Sequence, residues 1–222
     1  MKKLMVALLA TMVAGCSGVP TIQQGPDAEV TFDGLVRIDN SRFKDAWIDP
    51  DVDLKSYSKI LPVRAEFEFR AVKNGAASTT ARRSSGTEFW ISEENRQKLV
   101  DTVSEVFKEE LAKSEHFTMT DTAGPDTLII VGMLHDIVSR VPPEYIGRGE
   151  VYLSSVGDAT LILEARDSLS GETIYRAVDR RSFERGGDIP VRANTVTTWA
   201  EVRRAARSWA VRLREGLDSI HN

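Results

Sequence analysis

Ala159-Thr160-Leu161-Ile162-Leu163-Glu164-Ala165-Arg166, the turn Asp167-Ser168-Leu169-Ser170-Gly171, and the return run Thr173 to Phe183 decide the fold. Ala159, Leu161, Leu163 and Ala165 alternate with Thr160, Ile162, Glu164 and Arg166, the period of a strand with one dry face. The connecting residues end on Gly171, which suits a type I turn closed by a left-handed residue. This is an antiparallel hairpin, and it needs a partner layer to cover its apolar face.

Working outward, Thr127 to Val141 opens with Leu128-Ile129-Ile130-Val131, apolar on both faces. That pattern predicts a central strand covered on both sides. Further upstream, Ile60 to Phe69 reads as a strand, with Leu61, Val63, Ala65, Phe67 and Phe69 alternating against Pro62, Arg64, Glu66 and Glu68. Pro62 has no N–H for a ladder, so this strand belongs at an edge or begins irregularly. Phe117 to Thr120 could add a short strand.

Two helices supply the covering layer. Ser92 starts the first, Glu93 and Glu94 favour its N-terminal dipole, and Leu99, Val103, Val106 and Leu111 carry its stripe to about Ser114. The second, over 198–219, opens with the capping-box pair Thr198 and Glu201. Its stripe is Val202, Ala206, Trp209, Leu213, Leu217 and Ile220. Phe32 to Lys55 is expected as an irregular lead-in whose aromatics pack on the domain. Val72 to Glu88, Pro143 to Leu153 and Arg185 to Val196 are expected as loops.

The order strand–helix–strand–strand–strand–helix predicts an α+β sandwich: one mixed or antiparallel sheet with both helices on one face. The predicted core is Leu61, Val63, Phe67, Leu99, Val103, Val106, Leu128, Ile130, Leu161, Leu163, Trp209 and Leu213.

The N-terminus fixes an expected location. Met1-Lys2-Lys3 is followed by an apolar run, Leu4 to Val13, broken only by Thr11, and then by Val13-Ala14-Gly15-Cys16. A basic start, a short apolar stretch and small residues at a cut site make a secretory signal peptide. Its apolar run is far shorter than the roughly 20 residues of a spanning helix. A cysteine directly after the small residues narrows this to a bacterial lipobox, where Cys16 takes diacylglycerol and becomes the mature N-terminus. The expected organisation is a cleaved signal over 1–15, a lipidated Cys16 with a flexible tether over 16–31, and one periplasmic domain over 32–222. Ser17 matches the sorting pattern for the outer membrane, with the domain facing the periplasm. Cleavage removes Lys2 and Lys3 and moves the net charge from −4 to −6. Such mild acidity offers no field for nucleic acid. Cys16 is the single cysteine, so no other thiol remains for a disulfide, a nucleophile or a metal site.

Chemistry-bearing residues are few. His135-Asp136 invites a catalytic reading, but neighbours on a strand point to opposite faces. Asp49, Asp51 and Asp53 alternate like a calcium loop, yet Leu54 and Ile60 stand where that loop needs its glycine and glutamate. Ser84-Ser85-Gly86 and Gly147-Arg148-Gly149 are too short for a nucleophile elbow or a phosphate loop. Arg180, Arg181, Arg185 and Arg192, with Arg82-Arg83, could bind carboxylates or phosphates, although Asp179, Glu184 and Asp188 can neutralise them. These residues define no catalytic, cofactor-binding or metal-binding set; Cys16 is the one predicted site residue.

Three stretches resemble a known family in order. They are Asp33-Gly34-Leu35-Val36 with Trp47-Ile48-Asp49-Pro50 and Tyr57-Ser58-Lys59-Ile60-Leu61, then Thr127 to Val138, then the turn Asp167 to Glu172. Together they resemble the proteobacterial lipoprotein family called domain of unknown function 3313. The resemblance implies no enzyme activity. The expected function is a non-catalytic adaptor or accessory module, anchored through its lipid and engaging an envelope protein partner. The alternative is a periplasmic lipid- or cell-wall-binding protein using a groove between sheet and helices.

Overall fold

Thirteen strands and α-helices follow one another among the described residues of the computed structural model: β1 (Thr21–Ile22), β2 (Val36–Asp39), β3 (Asp45–Ile48), β4 (Lys59–Pro62), β5 (Glu66–Phe69), α1 (Glu93–Leu111), β6 (Thr118–Met119), β7 (Thr127–Ser139), β8 (Tyr152–Leu153), β9 (Ser155–Asp167), β10 (Thr173–Glu184), β11 (Val191–Arg192) and α2 (Thr195–Asp218). The structure describes residues 18–63, 65–72, 88–142, 152–184, 191–192 and 195–221. Cys16 lies outside them, as do most of the three expected loops.

The architecture is α+β, with the main sheet ordered β1-β2-β3-β10-β9-β7-β4-β6 and β5 also paired to β7. The hairpin β9–β10 and the pair β7–β9 are antiparallel, while β4, β5 and β6 add parallel pairs at the far edge. Asp167 fixes the hairpin turn, its carboxylate accepting from the N–H groups of Leu169 and Ser170, and Gly171 closes it at φ +77. β8 and β11 form a separate two-stranded ribbon, so two of the expected loops contain short strands.

Both helices cover one face of the sheet. Ser92 caps α1 by accepting from the Asn95 N–H, and α1 buries Leu99, Val103, Val106 and Leu111. α2 begins three residues before the expected start, so Thr198 lies inside it. The Thr198 hydroxyl is buried without a hydrogen-bond partner, and the expected capping box does not form. α2 buries Val202, Ala206, Trp209, Ala210, Leu213 and Leu217 against β10 and α1.

Three expectations need correction. First, the lead-in is regular: β2 pairs β3, and β3 pairs β10 through Ala177↔Ala46. Second, the segment expected as tether to residue 31 is already in the sheet at Thr21, which pairs with Asp39. Third, the strand expected over 60–69 is broken. Pro62 pairs with Ile130 and Glu66 with Met133, so four steps on this strand match three on β7. One surplus residue flips the alternation. Ile60 is therefore fully buried in place of Leu61, which is half-buried, and Val63 is 41% exposed; Phe67 is half-buried. The other nine predicted core residues are buried.

Candidate functional site

The sheet ends, on the side of β5, in a groove shared with the N-terminal half of α1. Among the described residues β5 is hydrogen-bonded on one side only, to β7. Glu66 and Glu68 point to solvent, while Phe67 and Phe69 alternate with them and pack on the core margin. Arg96, one turn into α1, lays its guanidinium 4.8 Å from the Phe69 ring centroid and donates through Nε to the Ile91 carbonyl at 3.1 Å. That arrangement is a cation–π contact with a tethered cation. Trp90, just before the Ser92 cap, is 45% exposed.

Two cavities of about 310 Å³ each meet at Phe69 and Arg96. One runs along Ala65, Phe67, Gln97 and Val100; the other passes under Phe89, Trp90 and Ile137. Their walls mix aromatic and aliphatic side chains with Arg96, Arg70, Glu93 and Gln97, which suits a partner side chain that has both an apolar part and a polar end.

A charged rim borders the groove. Arg70 donates to Asp136 through Nε at 2.6 Å and through Nη2, and also binds Glu88. Arg180 reaches the same Asp136 carboxylate at 2.9 Å. These two guanidinium groups, Arg70 first, hold the Asp136 carboxyl well below the usual carboxylate range. Asp136 sits at φ 57 in a bulge where His135 pairs with Thr160 and Val138 with Asp158. Aspartate tolerates this left-handed conformation better than most side chains.

The bulge overturns the expectation that His135 and Asp136 point to opposite faces. His135 and Arg180 both stand opposite Thr160, so they share its face, and Asp136 meets Arg180 there. The imidazole nevertheless binds Glu68, with Nδ1 2.5 Å from Oε2, rather than Asp136. The arginines singled out in the sequence do not form one patch. Arg181, next to Arg180, lies on the helix-covered face, donating to Asp179 at 3.0 Å and to Ser208 at 2.8 Å. Arg192 is in β11, and Arg82, Arg83 and Arg185 lie outside the described residues, as do Ser84-Ser85-Gly86 and Gly147-Arg148-Gly149.

The other candidates are turn devices. Asp49 accepts from the Asp51 N–H at 2.9 Å and Asp53 from the Lys55 N–H at 3.1 Å. Among the described residues there is no group of three or more His, Cys, Asp or Glu able to hold a metal ion. No described helix is long and apolar enough to cross a membrane.

The groove was not visible in the sequence as a site. Its walls come from 65–72, 89–100 and Ile137, which the parallel pairing of β5 with β7 and the antiparallel bridge of Phe89 to Ser139 bring together. The one local signal was Trp90-Ile91, a bulky pair directly before a helix cap.

Comparison with known proteins gives a match over residues 31–144 to the family described as protein of unknown function (DUF3313). No curated protein matches the chain. Among solved structures, a Xanthomonas campestris protein of the DUF330 family model is 10% identical, covering 78% of this chain and 89% of its own, with a TM-score of 0.40. A neuraminyllactose-binding hemagglutinin homolog from Helicobacter pylori is 11% identical, covering 75% and 89%, with a TM-score of 0.39. The PelC dodecamer from Paraburkholderia phytofirmans is 9% identical, covering 72% and 92%, with a TM-score of 0.31. With TM-scores below 0.5, these likenesses bear neither on topology nor on the chemistry of the groove.

Proposed function

The chain belongs to the DUF3313 family of proteins of unknown function, and from that footing we propose that it is a lipid-anchored envelope module that works by binding. Cys16 carries the lipid at the periplasmic face of the outer membrane, and the groove beside β5 receives a protein partner. The observation that supports this reading is the placement of the two ends of the sheet. β1, five residues after Cys16, is one end of the order, and β5 with its groove pairs β7 toward the other end, which β6 closes. Six strand spacings separate them, roughly 29 Å. A module tethered at one edge therefore offers its groove away from the bilayer.

Binding fits the chemistry of the site better than catalysis. The rim carboxylates Glu88 and Asp136 are engaged by Arg70, and His135 by Glu68, while Glu93 in the first turn of α1 lines the groove itself. A partner's side chains also fit better than a lipid. Each cavity of about 310 Å³ lies at the bottom of the roughly 300–1,000 Å³ range of ligand pockets.

Two measurements test the reading. Intact mass of the membrane-extracted protein should give a chain starting at Cys16 with added acyl mass; the same chain without acyl mass refutes the anchor. A photo-crosslinker at Trp90 should trap one partner in intact cells, and a crosslinker at Leu169, on the hairpin turn, should not. Equal trapping from both positions refutes the groove.

A further inference from the structure

Half of the exposed large apolar residues lie in one short ribbon. Among the described residues these side chains are Val19, Ile22, Val30, Phe32, Val63, Trp90, Tyr152 and Leu169, and the first four fall between residues 19 and 32. Phe32 is 97% exposed at the tip of the turn Thr31–Leu35. That turn is rigid. Thr31 N–H donates to the Leu35 carbonyl at 2.9 Å, Gly34 N–H to the Thr31 carbonyl at 3.0 Å, and Thr31 Oγ1 to Asp33 at 2.6 Å. Gly34 supplies the φ of +87 that the turn requires. Arg176 grips Asp33 at 2.7 Å and stands 5.9 Å from the Phe32 ring centroid. Apart from that one contact with Arg176, the braced turn holds the phenylalanine ring in water.

We propose that this ribbon rests on a zwitterionic phospholipid surface, with Phe32 seated at the level of the headgroups and upper acyl chains. The inference rests on the proposed acylation of Cys16. Five residues from Cys16 to Thr21 span at most about 17 Å, so an acylated chain brings the β1 edge to the bilayer surface. The ribbon's charges select the type of lipid. Glu29 is paired with Arg37 at 3.2 Å, Asp33 with Arg176, and Asp39 accepts from Gln23 at 2.9 Å. Asp27 adds another negative charge. No cationic surplus remains to favour an anionic surface. An aromatic ring at the interface is a recognised anchor, and a pre-ordered turn loses little freedom on insertion.

The test uses the full lipidated protein with Phe32→Cys. Cys16 is the single native cysteine, so once acylated it leaves the introduced thiol alone to take an environment-sensitive fluorophore. In phosphatidylcholine vesicles bearing a shallow acyl-chain quencher, the label should shift to the blue and lose about half or more of its emission. The same label in Val63→Cys, at the opposite edge, should be unaffected. An unquenched Phe32→Cys label on a chain whose mass shows acylated Cys16 overturns the inference and leaves the anchor reading standing. A blue shift without quenching puts the ribbon against protein and also overturns it. A membrane-extracted chain without acyl mass removes the anchor reading and the inference together.

Discussion

Asp136 illustrates how one residue can serve two structural needs at once. It takes the left-handed backbone of the β7 bulge and binds two guanidinium groups, which ties the residue after β5 to β7 and, over β9, to β10. Asp136→Asn keeps the backbone tolerance and removes the charge. At neutral pH it should lower stability by about 1 kcal/mol, allowing for solvent screening of a partly exposed pair. The folded-state pKa lies below the unfolded value near 3.8, so the charge contributes fully above that value. The gap between wild type and variant, measured by urea unfolding, should hold at pH 7 and narrow as pH falls below about 4. Thr127 presents the opposite case. Its side chain is 1% exposed and its hydroxyl has no hydrogen-bond partner. Thr127→Val keeps the shape, suits a strand and removes the stranded polar atom. It should raise stability by about 1 kcal/mol in the same experiment; a loss of that size would mean the hydroxyl has a partner in solution.

At the scale of elements, the two strand irregularities do the shaping. In the β7–β9 pair the chains approach so closely at Gly157 that a Cβ would sit 2.2 Å from the Val138 carbonyl oxygen. Backbone cannot give way there as a flexible side chain would. Gly157→Ala should therefore cost about 2–3 kcal/mol, read as a lowered urea midpoint at unchanged slope. These irregularities also mark the limit of what could be read in advance. The β9–β10 hairpin and the buried stripes of α1 and α2 were legible because each sustains its period over many residues. The alternation from Leu61 to Phe69 looked unbroken, but the surplus residue between Pro62 and Glu66 is defined only against β7. In the same way the His135–Asp136 bulge is defined only by its pairing with Thr160 and Asp158. β2 and β3 have four residues each, too few for a period to stand out.

At the scale of the whole molecule, the groove of the proposed function lies at the margin of the core, and this gives it a direct test. Trp90 is 45% exposed, whereas Phe69, below it, packs against the core and under Arg96. The groove escaped sequence reading because its segments are far apart until β5 docks on β7, whereas the expectation for Cys16 rests on adjacent residues and is tested by the intact mass. Trp90→Ala removes contact area from the mouth of the groove and little from the core. Its stability should change by no more than about 0.5 kcal/mol, as for most surface substitutions. Phe69→Ala opens a void against the core margin and should cost roughly 2 kcal/mol, less than the 3–5 of a fully buried phenylalanine. If partners dock at the groove, both variants should lose capture by a crosslinker placed at Gln97, which lines the groove on α1. The two losses would then occur at very different stabilities, so unfolding cannot account for both. Undiminished capture by Trp90→Ala, at wild-type stability and with acylated Cys16, would move the binding surface away from this edge of the sheet.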